Sequence, residues 1–282
     1  MKFVSFRLQG RYHSGVLAES SVVPLLDLEL GEYVSLQHAI ESGLSVANVD
    51  GFSDKRQSIA LSEIDILPPI INPGKIICVG TNYESHRVET AREKTTRPPL
   101  FLRTAETLVP DGAPLLCPVE STMFDFEGEI AIVMGRSARR VARESALDYV
   151  FGYSCFNDAS VRDWQRHTHQ WTPGKNFDAT GGFGPYLVTK DEVGPPEDLH
   201  LTTRLNGQIV QHACGDQMIF SIAEIIEYVS TFTTLRPGDV IATGTPGGVG
   251  ALRVPPLFMK SGDRVEVEVS RVGLLSNPVM AG

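Results

Sequence analysis

The 282-residue chain has no run of lysine or arginine, no long apolar stretch and no closely spaced pair of cysteines. Each absence removes a class of function. Its 25 Lys and Arg are outnumbered by 34 Asp and Glu, for a formal net charge of −9, so the basic stripe of a nucleic-acid binder is missing and no DNA or RNA partner is expected. No apolar run nears the roughly 18 residues of a membrane-crossing helix, and no membrane partner is expected either. Cys78, Cys117, Cys155 and Cys214 lie far apart with no CxxC spacing and read as reduced core thiols. Met1 to Gly10 carries Lys2 and Arg7 inside a short apolar pattern, unlike the hydrophobic region of a signal peptide, which makes a soluble cytoplasmic protein the expectation. Nucleotide loops are missing too. Lys175 is followed by Asn176 where a P-loop needs Ser or Thr, and Gly244-Thr245-Pro246-Gly247-Gly248-Val249-Gly250 does not fit GxGxxG.

What the chain does have is β pattern. Residues 2 to 8 and 11 to 18 flank Gln9-Gly10 as a hairpin, with a third strand over Ser21 to Leu26, and Leu36, Ile40 and Leu44 recur at helical spacing. Pro68-Pro69 and Pro73-Gly74 then place a boundary near residue 70, between a small N-terminal accessory domain (1–69) and the main body (70–282). In the body, strands are expected at Lys75 to Gly80, Leu100 to Arg103, Glu127 to Met134, Phe151 to Phe156, Tyr186 to Thr189, His200 to Leu205, Asp239 to Thr243 and Arg264 to Val269. Helices are expected over Tyr83 to about Lys94 and Ile219 to Thr231, the second with an apolar stripe of Ile222, Ile225, Ile226 and Val229. Strands outnumber helices without alternating with them, which predicts a mixed α/β fold, predominantly β, instead of a doubly wound sheet.

Acidic residues gather at the strand ends. Glu127 and Glu129, two apart at the head of a strong strand pattern, project from one face and repel unless a cation or a proton intervenes. A solvated strand edge is the alternative for an isolated E-x-E. Asn157-Asp158-Ala159-Ser160-Val161-Arg162-Asp163-Trp164-Gln165 follows another strand and supplies Asp158 as a third oxygen donor, with Asp163 read as a structural partner of Arg162. Downstream, Pro173-Gly174-Lys175-Asn176-Phe177-Asp178 forms a tight loop that holds one lysine in place.

Together with Gly80-Thr81-Asn82-Tyr83-Glu84-Ser85-His86-Arg87-Val88-Glu89, Thr243-Gly244-Thr245-Pro246 and Phe258-Met259-Lys260-Ser261-Gly262-Asp263, these segments resemble, in order, the fumarylacetoacetate hydrolase family. The resemblance runs from about residue 70 to the C-terminus. It implies a β-roll or sandwich catalytic domain, a homodimer, and Mg²⁺ or Mn²⁺ held by Glu127, Glu129 and Asp158 with Lys175 beside the metal. It further implies substrate contacts from Tyr83, Arg103, Arg162, Gln165 and Thr245, and a lid dyad of His86 and Glu89. Three residues apart on a helix, that pair shares a face, so Glu89 can orient the imidazole as a base. Arg103 stands where many family members have lysine, which points to an altered distal end of the substrate.

The family acts on 2-oxo acids carrying a second carbonyl or carboxylate, and on their enols. On that basis the expected activity is hydrolysis of a C–C bond in 2,4-dioxo acids of the acylpyruvate type, catalytic residues His86, Glu89 and Lys175, through a pyruvate enolate. Two alternatives share the enolate without an attacking water: decarboxylation of an oxaloacetate-like acid and isomerisation of a hydroxymuconate-type dioate. A catalytically silent dicarboxylate-binding protein is the non-enzyme alternative. Specificity is expected in the lid from Glu84 to Pro99, around Arg103 and in the loop His167-Thr168-His169-Gln170-Trp171.

Overall fold

Gly128–Met134 is buried at every position, which accounts for the unbroken apolar run from Ile130 to Met134: a strand with packing on both faces has no solvent side to alternate toward. The computed structural model describes residues 1–27, 32–53 and 57–282. Its N-terminal strands are β1 (Lys2–Leu8), β2 (Arg11–Ala18) and β3 (Ser21–Pro24), followed by helix α1 (Leu36–Glu41). The body contributes β4 (Ile76–Val79), α2 (Glu84–Glu89), β5 (Leu100–Arg103), β6 (Leu115–Cys117), β7 (Gly128–Met134) and β8 (Val150–Asn157). Two helical turns, α3 (Arg162–Gln165) and α4 (Thr172–Lys175), precede β9 (Gly181–Thr189), β10 (His200–Leu205), β11 (Gln208–Cys214) and α5 (Ile222–Phe232). The chain closes with β12 (Val240–Ala242), β13 (Arg264–Val269) and β14 (Gly273–Ala281).

A large mixed sheet runs in the order β3-β2-β1-β9-β8-β7-β12-β4-β5, and a second runs β6-β14-β13-β10-β11. Alternation along β7 sends its residues to two cores. Ile130, Ile132 and Met134 meet the second sheet (Leu201, Val267, Val269, Leu275) and the apolar stripe of α5, while Ala131 and Val133 meet Phe156, Phe183 and the N-terminal residues Phe3, Leu36 and Ile40. A predominantly β sandwich with a few helices is therefore the architecture. At about 1.5–3 kcal/mol for each fully buried Ile or Val, the α5 stripe is a substantial part of the first core.

Residues 1–69 add their strands to the main sheet. β1 pairs antiparallel with β9 at Lys2↔Val188 and Phe3↔Leu187, and the second core crosses the expected boundary. The segment is thus built into the body by hydrogen bonds and packing, not tethered to it by a linker alone.

Other differences have local causes. β9 starts at Gly181, five residues before the expected Tyr186, because Gly181-Gly182-Phe183-Gly184-Pro185 reads as a loop. Two of its glycines sit against close neighbours: a Cβ at Gly182 would lie 2.7 Å from the Asn277 side-chain Oδ1, and one at Gly181 2.9 Å from the Arg103 guanidinium. Strands β11 and β14 carry polar residues and breaks that hid their period. α2 ends at Glu89 and does not reach Lys94; Ala91 adopts φ of +52°, a left-handed residue that stops the helix. Cys78 and Cys155 are buried, but Cys117 and Cys214 are half-exposed, so only two of the four thiols are in the core. Among the described residues no helix is long and apolar enough to cross a membrane.

Candidate active site

Strand register assembles the acidic cluster. β7 and β8 are antiparallel with Gly128 opposite Asn157 and Glu129 opposite Phe156, so Glu127 and Asp158, each one residue beyond the ladder, come side by side; the Asp158 amide donates to the Glu127 carbonyl at 2.8 Å. One oxygen from each of Glu127, Glu129 and Asp158 lies within 4.8 Å of the others. All three are buried, Asp158 with no exposed surface. Asn157 secures the entry by accepting the Glu127 amide at 3.0 Å, and the Gly244 amide donates to Glu129 Oε2 at 2.9 Å.

Three cations enclose this cluster. Lys175, on α4, donates through Nζ to Glu127 Oε2 at 2.7 Å and Asp158 Oδ2 at 2.5 Å, with the Phe101 ring centroid 4.8 Å away. Gly174 makes this possible, because a Cβ there would overlap the Gln165 backbone and push α4 off α3. Arg162 spans Asp125 Oδ2 (2.8 Å), Glu127 Oε1 (2.6 Å) and Gln165 Oε1 (3.0 Å), leaving Nη2 buried without a partner among the described residues. Arg103 donates to Asp158 Oδ1 at 2.6 Å, to the Ala159 carbonyl, and to the hydroxyls of Thr107 and Thr180.

The balance of burial and charge differs among the three acids. Burial alone would raise Glu127, but Arg162 and Lys175 outweigh it and hold the carboxyl well below its usual range. Glu129 is pushed well up by burial and then by Asp158 and Glu127. Asp158 is raised mainly by burial, against the pull of Lys175 and Arg103. A divalent ion with oxygen ligands relieves this crowding of acid groups. Formally, Asp125, Glu127, Glu129 and Asp158 against Lys175, Arg103 and Arg162 leave one negative charge, which a divalent ion turns into one positive charge facing the cavity. The donor set therefore fits Mg²⁺ or Mn²⁺.

Above the cluster lies an open cavity of about 230 Å³, lined by His86, Gln165, Lys175 and Thr245 with the three acids, and by the rings of Phe101 and Trp171. His86 Nδ1 is 2.6 Å from Glu89 Oε1, and Glu89 Oε2 accepts the Gly248 amide at 2.8 Å. A carboxylate can only accept here, so Nδ1 is the ring nitrogen that donates to Glu89, and in the neutral imidazole Nε2 is the acceptor. The Gly247 amide donates to Ser85 Oγ at 3.0 Å, which docks α2 on the 246–250 loop. Thr245 Oγ1 donates to the Gly128 carbonyl and accepts from Gln211, each within 2.9 Å.

Two expected substrate contacts stand elsewhere. Arg103 is fully buried behind Asp158, so its planar fork holds a metal-binding candidate in place and does not read the distal end of a substrate. Tyr83 is likewise buried and does not line the cavity; burial, then Glu129, pushes its phenol above the usual range. Asp163 is structural as expected, but its partner is Ser121 Oγ at 2.6 Å, because Arg162 turns inward to Asp125 and Glu127.

Sequence reasoning missed the supports. Asp125 accepts from Arg162 and from the Gly250 and Ala251 amides, tying α3 to the loop beneath the lid. Asn82 holds Thr243, Phe220 and the lid entry together. Arg92 lines the cavity mouth beside Trp171. An Asp one residue from a buried Phe is a weak hint for the first; no local signal marks the other two.

Comparison with known proteins agrees with this geometry. Residues 75–280 match the model described as fumarylacetoacetate (FAA) hydrolase C-terminal. The chain is 39% identical over 259 residues to a mitochondrial oxaloacetate tautomerase of Xenopus laevis, covering 91% of this chain and 80% of that one. With the oxaloacetate tautomerase YisK of Bacillus subtilis it shares 42% over 224 residues, 78% of this chain and 74% of the other. Among solved structures, a fumarylacetoacetate hydrolase from Exiguobacterium antarcticum superposes with a TM-score of 0.87 at 33% identity, and a maleylpyruvate hydrolase from Sphingobium sp. SYK-6, in complex with manganese(II) and pyruvate, with 0.79 at 28%; both alignments span each chain completely. The ordered motifs, the sandwich and the buried acidic cluster thus have one common explanation: this chain belongs to the fumarylacetoacetate hydrolase family.

Proposed function

We propose that the protein is a metal-dependent tautomerase of oxaloacetate or a closely related 2-oxo dicarboxylate, interconverting its keto and enol forms. The observation that carries this reading is the single oriented base, His86 held by Glu89, over a buried acidic cluster, in a chain whose similar relatives include oxaloacetate tautomerases. The C–C hydrolase expected from the sequence is the less supported reading, and the enolate-only alternatives are favoured over it. Hydrolysis demands a placed water in addition to the proton transfer that both reactions share.

Glu127, Glu129 and Asp158 would hold a divalent ion, which would supply Lewis acidity toward a 2-oxo carboxylate. Lys175 adds a fixed positive charge beside Glu127 and Asp158, where negative charge on the substrate is stabilised as C3 loses its proton. His86 Nε2 takes that proton, with Glu89 stabilising the imidazolium; returning a proton to the 2-oxo oxygen instead of C3 completes the enol, and the reverse restores the ketone. Phe101 and Trp171 narrow the mouth and limit water around the enolate.

Proton exchange at C3 of oxaloacetate, followed by NMR in deuterated buffer with Mg²⁺, tests the reading. Acceleration without matching release of carbon dioxide is expected, and His86→Ala should slow it by about 10²–10⁴-fold while leaving metal affinity intact. Pyruvate released from acylpyruvates with no faster exchange would instead establish the hydrolase.

A further inference from the structure

We propose that Arg92, laid over the ring of Trp171 at the cavity mouth, binds the carboxylate of the substrate that lies farthest from the acidic cluster, and so makes the site selective for 2-oxo dicarboxylates. The inference rests on the reading of the cavity as a 2-oxo acid site and names the group that sets its substrate class.

Four cationic side chains line the cavity: Arg92, Arg162, Arg166 and Lys175. Two are already committed, Lys175 to Glu127 and Asp158, and Arg162 to Asp125 and Glu127. Among the described residues, the Arg92 guanidinium has neither a carboxylate nor a hydrogen-bond partner; its contact is the Trp171 ring, 4.6 Å from the centroid. Stacking holds a guanidinium by its face and leaves its edge free, and that edge is a fork matched to a carboxylate. Arg166 has no such platform, so it adds to the positive field at the rim without a set direction.

The platform itself is fixed. Gly80 has no side chain where the Trp171 ring lies, and a Cβ there would overlap it. Phe101 packs edge-on against the same ring with centroids 5.4 Å apart. Partial burial of an otherwise exposed side chain draws Arg92 below its ordinary range, with Glu127 opposing and Arg162 adding to the effect. Arg92 remains exposed on its solvent side, so its guanidinium edge is open to an incoming carboxylate. Charge matches as well: the metal-loaded cluster presents one net positive charge to the near carboxylate, and Arg92 supplies the second for a dianion.

Calorimetric titration of the Mg²⁺-loaded protein with oxaloacetate and with pyruvate, which lacks the far carboxylate, tests the assignment. Arg92→Gln should weaken oxaloacetate binding by roughly 10–100-fold, the range for a lost charge-assisted hydrogen bond, and pyruvate binding far less. Arg92→Lys, which keeps the charge but loses the fork, should fall between. Equal losses for both ligands, or unchanged oxaloacetate affinity, would overturn the proposal. Binding and turnover separate the two claims. Dicarboxylate selectivity that depends on Arg92 in a protein that does not enolise oxaloacetate would refute the tautomerase and keep this inference. Turnover of oxaloacetate with selectivity unaltered in Arg92→Gln would refute this inference alone.

Discussion

Glu129 shows most directly what the cluster needs. Its carboxyl is buried close to Asp158 and Glu127, and the Gly244 amide donates to it. Replacing it by the isosteric amide removes like-charge repulsion and a metal ligand together. Glu129→Gln should therefore raise the melting temperature of chelator-treated protein while abolishing the further rise that Mg²⁺ gives the wild type. A wild type whose melting is indifferent to chelator and Mg²⁺ would speak against the metal site. Arg103 is the opposite case. Removing it leaves Asp158 Oδ1 buried without its guanidinium partner, so Arg103→Met should cost about 3–5 kcal/mol in denaturant unfolding, as for a broken buried ion pair. Arg103→Lys should recover part of that. A substrate-reading arginine would instead lower affinity and spare stability.

At the scale of elements, the lid is attached more firmly than its six-residue helix suggests. Asn82 donates to the Phe220 and Thr243 carbonyls and accepts the Phe220 amide, joining the lid entry to β12 and to the start of α5. Asn82→Ala leaves those groups unpaired, and a loss of about 1–3 kcal/mol in stability is expected, with faster hydrogen exchange in residues 84–89 than elsewhere. Uniform exchange across the chain would show that Asn82 does not hold the lid. Elements were also where sequence reading did best and worst. The continuous apolar run of β7 and the stripe of α5 are local signals and appeared at their expected places. β9 was half lost, because its glycines answer to Asn277 and Arg103, which arrive from distant parts of the chain.

For the whole molecule, the position of residues 1–69 matters most. They cover Ala131, Val133 and Phe156 with Phe3, Leu36 and Ile40, and extend the main sheet through β1 and β9. A chain of residues 70–282 alone would expose that apolar face and an open β9 edge, and it should aggregate or melt far below the full-length protein. A truncated chain that folds and binds Mg²⁺ like the whole would identify the segment as a dispensable accessory. The wide apolar interior and the narrow polar site thus depend on one another: β7 carries the core along its length and two acids at its head.

By itself the sequence placed Glu127 and Glu129 on one strand face and His86 and Glu89 on one helical face, because those pairs lie two and three residues apart, while Asp158 and Lys175 joined them only through the resemblance to the family. Their chemistry follows from residue type. Tertiary structure decided which charges meet. It turned Arg162 from its neighbour Asp163 toward Asp125 and Glu127, set Arg103 behind Asp158, buried Tyr83, and laid Arg92 on Trp171. Those pairings join residues that are mostly tens of positions apart. Local pattern records which face a side chain leaves from, whereas the partner it finds depends on how sheets and loops pack, and no spacing in the chain encodes that distance.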